Sequence, residues 1–464
     1  MSTMTLQSSS SQPRNLYPLI WRWHFYAGLF CIPFVIWLSI TGIIYVFKPQ
    51  IESWIDRQYA DLPFQQGPLA SPESLTRAAS AAVPGSSLSA YEVTSGGRNA
   101  VQILVKQGQS IFRVYVHPQN LKILKVIPEE ERFMRIIFRL HGELLMGDRG
   151  SMIVELAASW AIVLLITGLY LWWPESIPGR RSPLAGVIYP RLKTLKVNRR
   201  TFWRDMHAVT GFWVSLFALL LLLSGLPWAK SWGGMLKQIR QIGTEAEVKQ
   251  DWSTSSSEHM GHSDSHSRPT SGDLDPKRNP DRLTYVYLNT LVPAATELQL
   301  APPVLLSPPT VNDKTWSLKS DAQKRILRTN ISMDEHGKIL KRVNFEDRPM
   351  LDRMIGTGVA AHEGQLFGWP NQLLNFLTAA GLITVCASAC IMWIRRRKPG
   401  VLGAPARSRK DTPPRILLCF VLLLGTLLPL LGVSLISLFL LERFVLRRIT
   451  WTRVFLGLGD SGLP

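Results

Sequence analysis

The chain has 464 residues, of which 46% are hydrophobic, and it carries a formal net charge of +19. Its apolar residues gather in runs that exceed the roughly 20 residues needed to cross about 30 Å of hydrocarbon, which excludes an ordinary soluble protein. The basic residues crowd short loops between those runs and form no single continuous surface, which argues against nucleic-acid binding. We therefore predict a membrane protein that makes no nucleic-acid contact.

The order of apolar runs and polar inserts predicts a duplicated unit, each copy consisting of a helix, a long insert and a second helix. The first run follows a polar head without a small-residue cleavage pattern, so we interpret it as a retained span. Arginine and lysine dominate the short loops, so the positive-inside rule places these loops and the N-terminus in the cytoplasm and the long inserts outside. The predicted segments are a polar head (1–15), a first span (16–47), a first insert (48–140), a second span (141–173), a basic loop (174–206), a third span (207–228), a second insert (229–361), a fourth span (362–394), a basic loop (395–414), a fifth span or re-entrant segment (415–441) and a C-terminal tail (442–464).

Both inserts have the pattern of a small α+β unit. In the first, Ser71 precedes a run of good helix formers that ends at Ala82, and strand-like segments follow it. In the second, residues 334–337 are typical of a hairpin turn. The predicted strands are 87–94, 100–106, 110–117, 122–127, 303–306, 315–319, 326–333 and 339–345. The predicted fold class is a membrane α-helical bundle of about five transmembrane helices, built from a duplicated two-helix unit, with two extracytoplasmic α+β inserts.

The last apolar run, 415–441, is too short to cross a membrane twice. A single crossing would place the C-terminus outside, and with it Arg443, Arg447, Arg448 and Arg453, against the charge rule. We predict this single crossing, with a re-entrant turn at Leu428-Pro429 as the alternative.

Two histidines open equivalent spans. His24 follows Trp21-Arg22-Trp23 and is followed by Gly28; His207 follows Trp203-Arg204-Asp205-Met206 and is followed by Gly211. Beyond each histidine, 17 and 18 residues further on, stand a small hydroxyl residue and a glycine: Thr41-Gly42 and Ser224-Gly225. This repetition indicates a duplicated transmembrane unit.

Two further histidines mark the second helix of each unit. His141 and His362 each have leucine four residues later and glycine six residues later, and a tryptophan follows each after 31 residues. We predict that each of the four histidines stands at the start of its membrane helix.

The alternation of spans and inserts decides which histidines can meet. The first and third spans enter from the cytoplasm, so His24 and His207 share the inner leaflet, whereas His141 and His362 share the outer one. A histidine in a span is costly and is by default functional. Imidazoles from facing helices are the usual axial ligands of haem iron in a bundle, and Gly28 and Gly211 would leave room for the macrocycle. The prediction is two b-type haems held by these two pairs.

Several motifs together resemble those of the PepSY-associated transmembrane family, over about residues 16–400. The motifs are the two helix starts Trp-Arg-Trp-His-x-x-x-Gly at 21–28 and Trp-Arg-Asp-Met-His-x-x-x-Gly at 203–211, Leu-His-Gly-Glu-Leu-Leu-Met-Gly at 140–147, Thr-Gly-Leu-Tyr-Leu-Trp-Trp-Pro at 167–174 and His-Glu-Gly-Gln-Leu-Phe-Gly at 362–368. That family includes iron-regulated inner-membrane proteins and ferric-siderophore reductases with two b-type haems. The resemblance implies PepSY-like inserts and a reductase; it does not fix the substrate.

These observations lead to one functional hypothesis and two alternatives. The hypothesis is a multi-pass protein of the bacterial inner membrane, a transmembrane haem-dependent reductase that delivers electrons to a ferric siderophore or another metal complex on the outer face. Its electron donor would be a membrane quinol or a cytoplasmic flavoprotein, and no catalytic acid, base or nucleophile is predicted. The alternatives are a non-enzymatic PepSY membrane protein that binds a periplasmic partner, and an iron or copper permease with histidines in its path.

Other candidate metal ligands have weaker signals. His259, His262 and His266 lie in the polar stretch 251–280, which is predicted to be either a solvated linker or a metal-binding loop. Cys386 and Cys390 share a helix face, but free cysteines in spans usually pack as small apolar residues.

Overall fold

A computed structural model describes residues 16–458 except for 64–66, 95, 174–185, 193–195, 197, 243–279, 311–312 and 406–413. Its α-helices are α1 (Tyr17–Val46), α2 (Lys48–Asp56), α3 (Pro72–Ala82), α4 (Phe133–Glu143), α5 (Asp148–Trp172), α6 (Arg199–Gly225), α7 (Lys230–Gln241), α8 (Pro280–Glu297), α9 (Met350–His362), α10 (Trp369–Arg396), α11 (Arg415–Leu427), α12 (Pro429–Leu441) and α13 (Thr450–Phe455). Its strands are β1 (Ser87–Val93), β2 (Val101–Gln107), β3 (Ser110–Val116), β4 (Ile123–Pro128), β5 (Val304–Ser307), β6 (Trp316–Ser320), β7 (Thr329–Met333) and β8 (Ile339–Asn344).

Four long apolar helices form the bundle. Helix α1 packs between α5 and α10, and α6 packs between the same two helices, so α1 and α6 face each other across the bundle. Within the described residues, five helices are long and apolar enough to cross a membrane, which confirms the predicted number. Many of their large apolar side chains are exposed on the outside of the bundle. Such a surface is stable in contact with lipid, which surrounds the helices of a multi-pass membrane protein.

The two inserts are α+β units, as predicted, but their strands form one sheet. The eight strands run in the order β4-β3-β2-β1-β5-β6-β7-β8, and every neighbouring pair is antiparallel. Strands β1 and β5 join the two halves, with Tyr91 opposite Leu306 and Val93 opposite Val304. Each of these strands would otherwise be an edge with unpaired backbone groups. The pairing therefore removes two edges at once.

One face of this sheet is covered by a helix from each insert. Leu75 and Ala79 of α3 and Leu288 and Leu291 of α8 are buried in the same core as the inward-facing strand residues. Helix α3 begins where predicted, because the Ser71 hydroxyl accepts a hydrogen bond from the backbone N–H of Ser74 at 3.2 Å. The predicted strand 326–333 is shorter in the structure, since residues Arg325–Leu327 form a 3-10 turn before β7.

A chain of ion pairs ties the sheet to the membrane bundle. Arg113 of β3 lies 2.7 Å from Glu92 and 2.9 Å from Glu129, and Arg132 lies 2.8 Å from Glu129 and 3.0 Å from Glu52 of α2. Burial alone would raise the pKa of Glu129, but the two guanidinium groups outweigh it and lower that pKa to about 2. Glu129 therefore stays ionised, and the network fixes the start of α4 against the sheet.

The second span of each unit is preceded by a separate short helix, which corrects one prediction. His141 and His362 do not open the membrane helices: His141 lies near the end of α4, and His362 is the last residue of α9. Helix α4 ends because Leu144 and Leu145 take positive φ angles of 50° and 58°, which no helix tolerates. The spans begin only at Asp148 and Trp369.

The C-terminal apolar run turns back at Leu428 and is not one continuous helix from 415 to 441; this is the position given for the turn in the alternative to a single crossing. Leu428 leaves the helical conformation with φ −122° and ψ 86° between α11 and α12. Gly425 and Gly432 then meet across the turn: a Cβ on Gly432 would lie 2.5 Å from the Gly425 carbonyl oxygen. The first arm has 13 residues, or about 20 Å of helix, whereas the second continues through Glu442–Leu446 to 18 residues, or about 27 Å, and is the fifth of the long apolar helices.

After this hairpin, the last described residues of the chain contact the start of α1. The backbone N–H of Leu402 donates to Phe455 at 2.8 Å, and the Arg22 guanidinium donates to the carbonyls of Pro405 and Gly457 at 2.8 and 2.9 Å. The end of the described chain therefore lies on the side where α1 begins and α10 ends.

This arrangement predicts the result of a reporter experiment. A topology reporter fused after Leu458 is expected to report the same side as one fused after Gly400. Fusions after Gly108 and Ala322, within the inserts, are expected to report the opposite side. A Leu458 fusion that reports with the inserts would contradict the reversal at Leu428.

Candidate functional site

The structure brings the four histidines together as two pairs. The rings of His24 and His207 have centroids 6.2 Å apart at 85°, and those of His141 and His362 are 6.2 Å apart at 81°. These are the pairs predicted from the sequence, where the two histidines of each pair share one leaflet of the membrane. His24 and Thr41, which contacts His141, are 17 residues apart on α1, so the pairs lie about 26 Å apart along the bundle axis.

The spacing within each pair fits one metal ion between the rings. A metal–imidazole bond is about 2 Å long, so two nitrogens on opposite sides of one ion place their ring centres roughly 6 Å apart. Both pairs show this distance. Each pair is also formed across the bundle, with one ring near α1 and the other near α6.

Three of the histidines are oriented by a hydroxyl group. Nδ1 of His24 lies 2.9 Å from the Thr167 hydroxyl, Nδ1 of His141 lies 3.0 Å from that of Thr41, and Nδ1 of His362 lies 3.0 Å from that of Ser224. Each contact joins the histidine to a residue of a neighbouring helix.

The direction of these hydrogen bonds fixes the tautomer of each ring. The hydroxyls of Thr167, Thr41 and Ser224 each donate their own proton to a backbone carbonyl one turn earlier, at 2.8, 2.9 and 2.7 Å. A hydroxyl has one proton, so it must accept from Nδ1–H of the histidine. Nε2 then carries a lone pair, which is the form that binds a metal.

His207 is held differently. Its Nδ1 lies 3.0 Å from the carbonyl oxygen of Val385 and can only donate to it, which again leaves Nε2 free. The position equivalent to Thr167, 26 residues after the preceding histidine, is Ser388, and its hydroxyl donates to the same Val385 carbonyl at 2.9 Å. The fourth histidine therefore uses the carbonyl directly where the others use a hydroxyl.

Glycines let the histidine rings lie against the helices. A Cβ added at Gly42, Gly168 or Gly225 would lie 3.3, 3.2 or 3.4 Å from Cε1 of His141, His24 or His362. These distances are tighter than ordinary van der Waals contact. In the sequence, Thr41-Gly42 and Ser224-Gly225 indicate only a duplication, because their histidine partners lie on other helices.

The two glycines predicted to make room for a cofactor occupy different surroundings. A Cβ at Gly28 would lie 3.8 Å from Leu164, and one at Gly211 would lie 3.9 Å from Val385, which are ordinary contacts. Both glycines line the central cavity, one helical turn from His24 and His207. They leave space toward the cavity, whereas Gly42, Gly168 and Gly225 make room for the rings themselves.

A single large cavity connects the two pairs. It has a volume of about 1090 Å³, just above the roughly 300–1,000 Å³ typical of ligand pockets, and all four histidines line it. Its walls between the pairs are mainly apolar, with Val35, Leu38, Ala161, Leu164 and Leu382 among them. An apolar, planar ligand with a central metal fits such a space.

Each histidine pair offers only two nitrogen ligands, which favours a metal ion whose other ligands belong to a cofactor. Within the ranges that the structure describes, no group of three or more His, Cys, Asp or Glu side chains could hold a metal ion. Two histidines alone leave a bare ion under-coordinated, but a porphyrin already supplies four in-plane nitrogens and needs only axial ligands. The residues present therefore fit haem iron.

The remaining candidate ligands are not part of this arrangement. Cys386 is buried and Cys390 is half-buried on α10. His259, His262 and His266 fall outside the residues that the structure describes.

Comparison with known proteins gives the family. A search of curated proteins finds no match. The sequence profile of the PepSY-associated TM region matches residues 21–396, a stretch that contains all four histidines and most of the chain. The chain therefore belongs to the family of the PepSY-associated TM region.

Proposed function

We propose that this protein is an inner-membrane electron-transfer protein that holds two b-type haems and reduces a ferric complex, such as a ferric siderophore, outside the cytoplasm. The observation that carries the proposal is the geometry of the two histidine pairs. Each has ring centroids 6.2 Å apart, and in each ring Nδ1 is engaged so that Nε2 is free for a metal.

The chain's own residues would position the redox centres. When bound, haem supplies a one-electron redox centre at each end of the bundle. His24 and His207 hold one macrocycle, His141 and His362 hold the other, and the hydroxyls behind them keep the rings in one orientation. The apolar cavity walls exclude water between the two sites.

The direction of electron flow follows from sidedness. The arginine-rich ends of α6 and α10 lie beside His24 and His207, which the positive-inside rule assigns to the cytoplasm, and the sheet lies beyond His141 and His362. Electrons would enter from a quinol or a cytoplasmic flavoprotein and leave on the sheet side. Fe(II) binds hard oxygen ligands less tightly than Fe(III), so one electron would release the iron, and no general acid or nucleophile is needed.

Spectroscopy of the purified full-length protein tests this proposal. After anaerobic reduction by dithionite, sharp b-type bands are expected, and a ferric siderophore is expected to reoxidise them with one Fe(II) formed per haem. A colourless preparation from haem-replete cells would contradict haem binding and favour the non-enzymatic alternative. Reduced bands that persist with every ferric complex tested would contradict the reductase assignment.

A conservative change behind one histidine gives a second test. Thr167→Val keeps the shape of the side chain but removes the acceptor for Nδ1–H of His24. The affinity for the haem at His24 and His207 is expected to fall about 10–100-fold, with a shifted midpoint potential. Haem titration and potentiometry measure both quantities.

Thr384→Val is the matched control, because the Thr384 hydroxyl donates to Ala380 within its own helix. Thr167→Val with unaltered affinity and potential would show that the hydroxyl does not orient the ligand.

A further inference from the structure

The charged residues that line the cavity are separated by sign. The arginines on its wall, within the part of the chain that the structure describes, all lie at the end beside His24 and His207, and the glutamates Glu155 and Glu363 lie toward the other end. The arginines are Arg200, Arg204, Arg395 and Arg396. The two basic residues next to them in sequence, Arg199 and Arg397, do not line the cavity.

Helical spacing explains how these side chains reach the cavity. Arg200, Arg204, His207 and Gly211 follow one another at steps of four, three and four residues, so they share one face of α6. Arg204 begins about 4–5 Å and Arg200 about 10 Å beyond His207 along the helix. The arginines thus form a rim just outside the histidine pair.

Part of this rim has little to neutralise it. Arg204 lies 3.1 Å from Asp205, but Asp205 is already bound by Arg191 at 2.7 Å. Arg396 stacks on Trp21 and Phe25 and donates to the carbonyl of Gly403. Arg200 and Arg395 make no hydrogen bond or ion pair with any residue whose position is described. Four guanidinium groups around one opening repel each other and favour a bound anion.

We propose that Arg200, Arg204, Arg395 and Arg396 bind the carboxylates of a planar cofactor, namely the propionates of the haem at His24 and His207. This inference rests on the proposed function. The macrocycle is apolar and matches the cavity wall, whereas its two carboxylates are charged and are costly to bury without partners. Arginine is the side chain best suited to bind a carboxylate with two parallel hydrogen bonds.

The proposal fixes the orientation of this haem. Its propionate edge faces the arginine rim, on the side where α1 begins and α10 ends, and its apolar edge faces the interior of the cavity. The rim therefore selects haems with free carboxylates.

A comparison of haem with its dimethyl ester tests this selection. The full-length protein is made free of haem in a His141→Ala, His362→Ala background, so that only His24 and His207 remain, and is titrated with each porphyrin. Haem is expected to bind at least about tenfold more tightly than the ester. Adding Arg200→Gln and Arg395→Gln, which removes two of the four proposed partners, is expected to reduce this preference by weakening haem alone, with ester affinity unchanged.

The matched control is Arg199→Gln with Arg397→Gln, which removes the same charge from neighbouring positions off the cavity wall. It is expected to keep the preference. An equal preference in the Arg200, Arg395 variant and its parent, or an equal loss in the control, would overturn the propionate site while leaving haem binding intact. Failure of both porphyrins to give histidine-dependent spectra in the parent would instead refute the proposed haem site, and this inference with it.

Discussion

Replacing either histidine of one pair with alanine is expected to remove the haem of that pair and to leave the other haem in place. The haem-to-protein ratio should fall from about two to about one, and the double change within a pair should add little, because two axial ligands act as a unit. Changes in both pairs, such as His207→Ala with His362→Ala, should empty both sites. Haem content and reduced spectra of the four single and two kinds of double variants measure this.

The physical reason is distance. The pairs lie about 26 Å apart along the bundle, so no macrocycle can bridge from one pair to the other. His336→Ala is a suitable control, since His336 is exposed in the turn between β7 and β8. Additive losses for His24→Ala and His207→Ala, or a single variant that keeps both spectra unaltered, would show that the histidine concerned is not an axial ligand.

Gly150→Ala is expected to disrupt the connection between α4 and α5 and with it the site at His141. A Cβ at Gly150 would overlap the backbone carbonyl of Glu143, which cannot move away as a flexible side chain could. The destabilisation should exceed the roughly 1–3 kcal/mol of ordinary overpacking. Thermal unfolding of the purified protein and the haem content at His141 and His362 measure the two effects.

Gly234→Ala is the matched control, because no atom outside the adjoining backbone of its own helix and its chain neighbours lies within 4 Å of the added methyl group, and the helical backbone of α7 accepts alanine. Gly150→Ala is expected to lose the haem proposed at His141 and His362 and to keep the one proposed at His24 and His207. Unchanged stability and haem content would show that α4 does not pack on the start of α5 as described.

The amino-acid sequence alone predicts the pairing of the histidines but not the groups that orient their rings. The pairing depends only on the alternation of spans and inserts, which hydropathy and loop charge reveal. The partners of Nδ1 are set by how neighbouring helices pack, as with Thr167 for His24 and Val385 for His207. No local pattern reports such contacts between distant parts of the chain.

The errors in the predicted fold have similar causes. Positive φ angles at Leu144 and Leu145 are unusual for leucine, so nothing in the residue types marks the end of α4. The strands themselves were predictable to within a few residues, because alternation is local. The β1–β5 pairing was not, since it joins residues about 200 positions apart.

The shared sheet has a consequence for how the protein is made. When β1 has been synthesised, its partner β5 lies 211 residues further along, counted from Val93 to Val304. At about 5–20 residues per second, about 10–40 s pass before β5 exists, and α5 and α6 must enter the membrane in between. Throughout that interval the first insert exposes an open strand edge that can pair with other chains. The sheet of the first insert is therefore completed only after β5 has been made.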